Sequence, residues 1–427
     1  MKAATRHSVL LEYITPPPVI YPIPHREPVG GPSIHTVIYL MTLSGAYNIN
    51  DLRTLAQRRL PRVAWDYLER GAEDDVTMTA NRTAFERIHF RPRTLVDVSG
   101  RSLQHELFGQ RYAAPFGIAP TGAAGLYCFD ADIALARAAA AANVPFVLST
   151  ASFVAMERVA REAGGSKWFQ LYMSKDRAGA EGLVRRALDA GFEALVVTTD
   201  VPVGANREYN LRNGFTIPFN INARNVVDGL LHPRWLVQVF LRTLLTSGVP
   251  RFQNVDARAG DRIIAKDLSA FRARRDALDW SDIAWLRTLW PRKLLIKGVL
   301  TVADAQLAAQ HGADGVVVSN HGGRQLDGAV AAIDVLPEIV DAVSGKIAVL
   351  FDSGVRRGSD IVKALALGAD FVFCGRATLY GASVGGEAGV SRALELLHSE
   401  TDRVMALIGC NSVDALDRNF LKMPDSA

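Results

Sequence analysis

A chain of 427 residues, 49% of them hydrophobic, can hold one large barrel or two ordinary domains and bury a substantial core. Its 48 basic and 44 acidic residues leave a formal charge of +4, scattered without a long basic block, which argues against a nucleic-acid binder. Cys128, Cys374 and Cys410 stand at spacings that make neither a disulfide framework nor a zinc motif, so no metal and a reducing cytoplasm are expected; no apolar run approaches the roughly 20 residues needed to cross a bilayer.

Residues 1–40 carry Pro16, Pro17, Pro18, Pro22 and Pro24 with Gly30 and Gly31, a composition that opposes regular structure. The stretch is expected to be disordered, or untranslated with Met41 as the start, and the folded domain to run over 41–427. Helical patterns follow at about 49–58 and 63–70, the second stopped by Gly71, with Tyr67 late on it.

From Pro115 onward, eight short apolar runs recur at 116–119, 145–148, 168–172, 194–198, 294–297, 315–318, 348–351 and 371–374. Helical patterns separate them, among others at 131–142, 178–190, 302–311 and 361–367. Eight strand-then-helix repeats predict an α/β fold, a closed (β/α)8 TIM barrel behind an N-terminal helical segment. The active site of such a barrel gathers at the C-terminal ends of its strands. Those ends carry Thr121 and Gly122, then Ser149 and Ala151, then Gln170 and Tyr172, then Thr198, Asp200 and Arg207. The second half adds Lys297, the run 319–327, then Asp352, Ser353, Gly354 and Arg356, and finally Gly375 and Arg376.

In the run 319–327, His321 and Arg324 lie three residues apart on a glycine-rich turn. An imidazole takes a proton near neutral pH and a guanidinium grips a carboxylate with paired hydrogen bonds, so the pair suits proton abstraction from an organic acid. A structural turn whose histidine caps a strand is the bland alternative. The gathering of polar residues at one rim favours a site. The seventh and eighth strand ends, with Gly354, Arg356, Gly375 and Arg376, suit phosphate, and no G-x-G-x-x-G follows a strand, so a dinucleotide is not favoured.

The gap between the fourth and fifth strands is far longer than a barrel needs and predicts an insertion over about 221–278. In it Leu230, Leu231, Trp235, Leu236, Val239 and Phe240 alternate with Arg224, Arg234, Arg242 and Arg251. Apolar groups beside arginines fit an interfacial membrane segment; an ordinary packed helix or a subunit interface is the alternative.

Asp66-Tyr67, Gly71-Ala72-Glu73-Asp74, Phe169-Gln170-Leu171-Tyr172, Lys297-Gly298 and the runs 319–327 and 352–358 together resemble the FMN-dependent 2-hydroxy acid dehydrogenase and oxidase family, over about 48–420. Within that family the likeness is greatest to mandelate- and lactate-oxidising dehydrogenases, through 148–152, His232-Pro233-Arg234 and 375–381. The resemblance implies FMN-dependent oxidation of an L-2-hydroxy acid to the 2-keto acid. It makes His321 the base, with Asp200 holding the imidazolium. Arg207, Arg324 and Tyr67 would bind the substrate carboxylate and Tyr172 its hydroxyl. Lys297 would lie by the flavin pyrimidine, with Thr121, Gly122, Ser149, Gln170, Thr198 and Ser319 about the ring. Asp352, Ser353, Gly354 and Arg356 would hold the ribityl–phosphate chain, and Gly375 and Arg376 the phosphate. Whether a carbanion or a hydride leaves the α-carbon stays open.

Glycolate oxidase carries alanine where this chain has Gly122 and tryptophan where it has Ala151; lactate dehydrogenases can also have glycine at the first position, so it is Ala151 that points to a larger, mandelate-like substrate. The insertion points to a membrane quinone as acceptor, at the inner face of the cell membrane, and the resemblance to a homotetramer. The alternatives are L-lactate as substrate, oxygen as acceptor, an FMN barrel isomerase and a catalytically silent barrel. The arginine pair speaks against the third, and His321, Asp200 and Lys297 against the last.

Overall fold

Successive residues of a strand face opposite ways, and in this chain both faces of the apolar runs are used. The computed structural model describes residues 42–173, 176–215, 222–255 and 275–423; the expectation of disorder over 1–40 lies outside them. The eight runs form parallel strands β1 (Phe116–Ile118), β2 (Phe146–Ser149), β3 (Lys167–Leu171), β4 (Ala194–Thr198), β5 (Lys293–Val299), β6 (Gly315–Val318), β7 (Ala348–Phe351) and β8 (Phe371–Cys374). Each pairs with its neighbours in sequence, and β8 pairs with β1, so the sheet closes.

One phase of the strands points into the barrel. Val147, Trp168, Val196, Leu295, Val317, Leu350 and Phe373 form an inner cluster. Leu148, Phe169, Leu195, Ile296, Val316 and Val372, each one residue away, pack outward among the helices. A hairpin of His105–Leu107 and Gln110–Tyr112 stops the lower end, with the Tyr112 ring 5.5 Å from Phe371. Trp168 is fully buried there, and its truncation to alanine would cost about 3–5 kcal/mol. Stepping two residues further along the inner phase reaches Ser149, Gln170, Thr198, Lys297, Ser319 and Asp352. The alternation that fills the core thus turns a polar layer inward at the upper end.

The N-terminal segment forms α1 (Ile49–Arg59), α2 (Arg62–Glu69) and α3 (Val76–Arg87). Asn48 caps α1 by accepting from Asp51 N at 2.9 Å. The start of α3 is capped from across the molecule, by the Asp327 carboxylate, which accepts from Thr77 N at 2.7 Å, Asp74 N at 3.1 Å and Val76 N at 3.2 Å. The expected barrel helices appear at Ala131–Ala141, Arg177–Asp189, Val302–Gln310 and Gly358–Ala366. The last begins three residues before its expected start, because Asp360 accepts from the backbone N–H groups of Arg356 and Arg357 and satisfies that first turn.

The insertion is largely helical over 223–247. Ala223–Leu231 is followed by a nearly continuous run, 233–247, with a π-helical stretch at Leu236–Leu241. Val226, Val227, Leu230 and Leu231 are exposed on the first helix, and Val237, Leu241 and Leu245 on the second, at the three- and four-residue spacings that share a face. Trp235 and Val239 depart from the expected outward row. The Trp235 indole donates to the Leu126 carbonyl at 2.8 Å and Val239 is buried, because this side of the helix covers the loop after β1. Among the described residues no helix is long and apolar enough to cross a membrane.

Candidate active site

A cavity of about 540 Å³ lies at the C-terminal ends of the strands. His321, on the turn after β6, has φ +58°, a conformation rare outside glycine. The turn is held in it by His321 N donating to Ser319 Oγ (3.0 Å), Gly322 N to Ser353 Oγ (3.1 Å) and Gly323 N to Asn320 Oδ1 (3.1 Å). Asn320 is fixed in turn by a buried, reciprocal amide pair with Asn81, both bonds 2.8 Å. The imidazole is thereby placed with Nδ1 2.9 Å from Asp200 Oδ1 and Nε2 3.4 Å from the Tyr172 hydroxyl.

This geometry fixes the proton chemistry. With Nδ1–H donating to a carboxylate, the Nε2 lone pair faces the cavity. Burial holds His321 below the usual histidine range, offset in part by Asp200, so the ring is neutral at pH 7. Burial also opposes the charge on Asp200, but the His321 and Lys297 side chains outweigh it and keep the carboxyl below its ordinary value. Burial raises the Tyr172 phenol, which therefore stays a hydrogen-bond donor. Asp200 fits because Gly298, at φ +102°, has no side chain: a Cβ there would stand 2.7 Å from that of Asp200.

Arg207 and Arg324 lie beside the histidine. Arg207 donates Nε and Nη2 to the Arg324 carbonyl at 3.0 and 2.8 Å. Arg324 donates Nη1 to the carbonyls of Tyr67 (2.8 Å) and Arg70 (2.9 Å) and stacks over the Tyr67 ring at 5.1 Å. One edge of each guanidinium is thus anchored to backbone. Neither forms an ion pair with a carboxylate of the described residues. Two partly buried, adjacent cations of this kind suit an anion bound between them.

The polar layer below fits a flavin. Gln170 Nε2 and Thr198 Oγ1 are buried without a hydrogen-bond partner among the described residues, while Gln170 Oε1 accepts from Ser149 at 3.0 Å. Such orphaned groups suit the carbonyl and ring-nitrogen edge of an isoalloxazine. Lys297 Nζ is held 2.7 Å from Ser319 Oγ and 3.0 Å from Asp352 Oδ2, a buried ion pair that sequence reasoning did not foresee. At the far end Gly354, Arg356, Gly375 and Arg376 line the cavity. Arg376 gives Nε, Nη1 and Nη2 to the carbonyls of Leu68, Gly322 and Arg70, and the geometry of its second Nη1 and Nη2 hydrogens suits an anion such as phosphate.

Of the expected residues, Tyr67, Thr121, Gly122, Gln170, Tyr172, Thr198, Arg207, Lys297, His321, Arg324, Asp352, Ser353, Gly354, Arg356, Gly375 and Arg376 line the cavity. Ser149, Asp200 and Ser319 stand behind the lining and are hydrogen-bonded to Gln170, His321 and Lys297. Tyr127, Phe215 and Arg275 also line it and were not anticipated. Phe215 packs 5.0 Å from Tyr67, and Arg275 lies 4.6 Å over the Tyr172 ring. Tyr127, on the loop after β1, was open to the rim rule carried a few residues further; the other two come from the borders of the insertion, where no strand end signals them.

Comparison with known proteins agrees with this chemistry. The model of a family described as FMN-dependent dehydrogenase matches residues 56–423. (S)-Mandelate dehydrogenase of Pseudomonas putida is 47% identical over 376 residues, 88% of this chain and 94% of the relative. A putative L-lactate dehydrogenase of Mycobacterium tuberculosis is 42% identical over 375 residues, 88% of each chain. The crystal structure of monotopic membrane protein (S)-mandelate dehydrogenase superimposes with a TM-score of 0.82 at 46% identity, covering 88% of this chain and 99% of that one. A closed barrel with a histidine–aspartate pair over a polar layer suited to a flavin, matched along nearly its whole folded length, leaves one assignment: the chain belongs to the FMN-dependent dehydrogenase family.

Proposed function

We propose that this enzyme, an FMN-dependent 2-hydroxy acid oxidoreductase, acts on an aromatic L-2-hydroxy acid of the mandelate type and passes the electrons to a membrane quinone. The observation that carries the reaction is the neutral His321 Nε2, turned to the cavity beside two arginines that lack a carboxylate partner among the described residues. Arg207 and Arg324 bind the substrate carboxylate through the N–H groups not given to backbone, and so orient the α-carbon. Tyr172 donates a hydrogen bond from its phenol to the substrate hydroxyl oxygen. His321 Nε2 takes up a substrate proton as the acid is oxidised, and Asp200 stabilises the imidazolium through Nδ1. Bound FMN supplies the two-electron acceptor. Lys297, fixed by Asp352 and Ser319, places a positive charge where a flavin gathers negative charge on reduction.

The mandelate-type reading is supported by Gly122 and Ala151, which put only a hydrogen and a methyl group on the cavity wall, and by the 47% identical relative. Peripheral membrane association is supported by the exposed apolar row of the insertion and by the solved monotopic relative; the inner face of the cell membrane is the side expected. The test is an anaerobic titration of the purified holoenzyme with (S)-mandelate and then L-lactate, following flavin absorbance. Bleaching by mandelate at far lower concentration is expected. Preference for lactate would overturn the aromatic reading, and a colourless protein that FMN cannot reconstitute would overturn the whole reading.

A further inference from the structure

A second cleft, of about 510 Å³, opens between the start of α2 and the first helix of the insertion. Its lining runs along the chain into that of the flavin cavity. Val63 lines the cleft and Tyr67, one helical turn on, lines the cavity; Asn213 lines the cleft and Phe215, two residues on, lines the cavity. The Tyr67 and Phe215 rings lie 5.0 Å apart, and Asn213 is tied to Asp66 at 2.7 Å, so this stretch of the lining is aromatic and braced.

The cleft is lined by two chemistries. Val227 and Leu231 are 57% and 73% exposed and run from its lip onto the outward apolar row of the insertion. Arg62 and Arg224 supply hydrogen-bond donors. The Asp228 carboxylate accepts from Arg62 N at 2.6 Å; His232 Nδ1 lies 3.4 Å from it and 2.7 Å from the Asp228 backbone carbonyl. We infer that this cleft binds the head group of a lipid-soluble quinone, whose tail leaves along Val227 and Leu231 towards the bilayer. The inference rests on the proposed quinone acceptor and names its site. Two ring carbonyls match the arginine donors. A phospholipid phosphate would meet the Asp228 carboxylate, which suits a quinol hydroxyl instead. The quinone would become the quinol by taking two electrons from the FMN that the neighbouring cavity would hold, past Tyr67 and Phe215, and two protons from solvent by way of the Asp228 carboxylate.

The test uses the detergent-solubilised holoenzyme, reduced anaerobically with dithionite and mixed with decylubiquinone. Ala223→Trp, at an exposed position of the lining, fills the cleft without removing a hydrogen bond of the side chain; Val227→Trp is the second variant. Both are expected to slow reoxidation by decylubiquinone at least tenfold, with ferricyanide reoxidation and substrate bleaching within twofold of wild type. An azidoquinone photolabel is expected on 62–63 or 223–231 in the wild type and to be lost in both variants. Unchanged quinone rates with labelling elsewhere would overturn the site and leave the acceptor standing. A wild type that decylubiquinone cannot reoxidise would overturn both. Loss of vesicle binding with unchanged quinone rates would make the cleft a phospholipid site and overturn the inference.

Discussion

Gly122 and Ala151 face each other across the upper wall of the cavity: a Cβ added to Gly122 would stand 3.0 Å from the Cβ of Ala151. The two loops are joined by the Ala123 N–H donating to the Ala151 carbonyl at 2.8 Å. They are therefore one surface, and its size is set by both residues together. Ala151→Trp is expected to fill the space that a substrate phenyl ring would take, lowering kcat/KM for (S)-mandelate by about a hundredfold, since several methylene equivalents of contact are lost to overlap. Activity on L-lactate should change by less than tenfold. Equal losses on both acids would place the aromatic ring elsewhere.

The pH profile follows from the histidine's surroundings. Because burial holds His321 below the ordinary histidine value, kcat/KM should be flat at neutral pH and fall only as the pH drops through a value under about 6.5. Asp200 is the group that raises His321 against that burial. In Asp200→Asn the histidine should titrate lower still, so the acid limb moves to lower pH while the plateau falls about 10²- to 10⁴-fold through loss of imidazolium stabilisation. An acid limb that moves upward would contradict the assignment. The comparison is made on steady-state rates with a soluble dye.

Gly298 tests the same pair through the backbone. Its φ of +102° and its contact with Asp200 mean that Gly298→Ala pays twice, in strain and in displacement of the carboxylate. The expected result is a kcat reduced by at least tenfold with the FMN spectrum retained. The Asp200→Asn and Gly298→Ala effects should be far from additive, because both act through the His321–Asp200 contact. Additive losses would mean that the glycine serves packing alone.

How much of this was legible in the sequence depended on distance from a strand. Gln170, Thr198, Lys297 and Asp352 follow inner-face residues by two positions, so finding the strands places them. The turn with His321 and Arg324 announced itself by composition. Phe215 and Arg275 border the insertion, where the path of the chain is set by tertiary contact and no periodicity reports it. Trp235 was misdirected for a related reason: an apolar residue in a mixed helix can face a membrane or its own barrel, and only the Leu126 carbonyl decides which. The partnership of Lys297 with Asp352 joins β5 to β7 and has no local signature.

Asp327 links the turn that carries His321 to the helical segment that carries Tyr67. Burial opposes its charge, but the N–H groups of Thr77, Val76 and Asp74 outweigh that and hold its carboxyl below the usual range. A carboxylate with a depressed folded-state pKa contributes stability that is present above its unfolded value of about 3.9 and is lost as the pH falls through the folded one. Asp327→Ala should therefore cost about 1–2 kcal/mol at pH 7 by urea denaturation, and much less near pH 2. A loss independent of pH would point to packing in place of the cap.

The two faces of the insertion predict opposite phenotypes for apolar residues close together in sequence. Leu230, Leu231 and Leu245 are 61%, 73% and 86% exposed, so making all three serine removes no internal contact of note. Each leucine is worth up to about 1.5–3 kcal/mol when buried in an apolar phase, so the triple variant should bind anionic lipid vesicles at least a hundredfold more weakly. Its flavin bleaching by substrate and its thermal stability should match wild type. Trp235→Ser should do the reverse. It removes the indole from the Leu126 carbonyl and from its stack with Phe240 at 5.8 Å, so it should lower stability while leaving the leucines free to meet the membrane. Vesicle flotation and thermal unfolding, run on both variants, separate the two faces; loss of flotation in Trp235→Ser alone would mean that the membrane is met through the indole and that the leucine row is bystander surface.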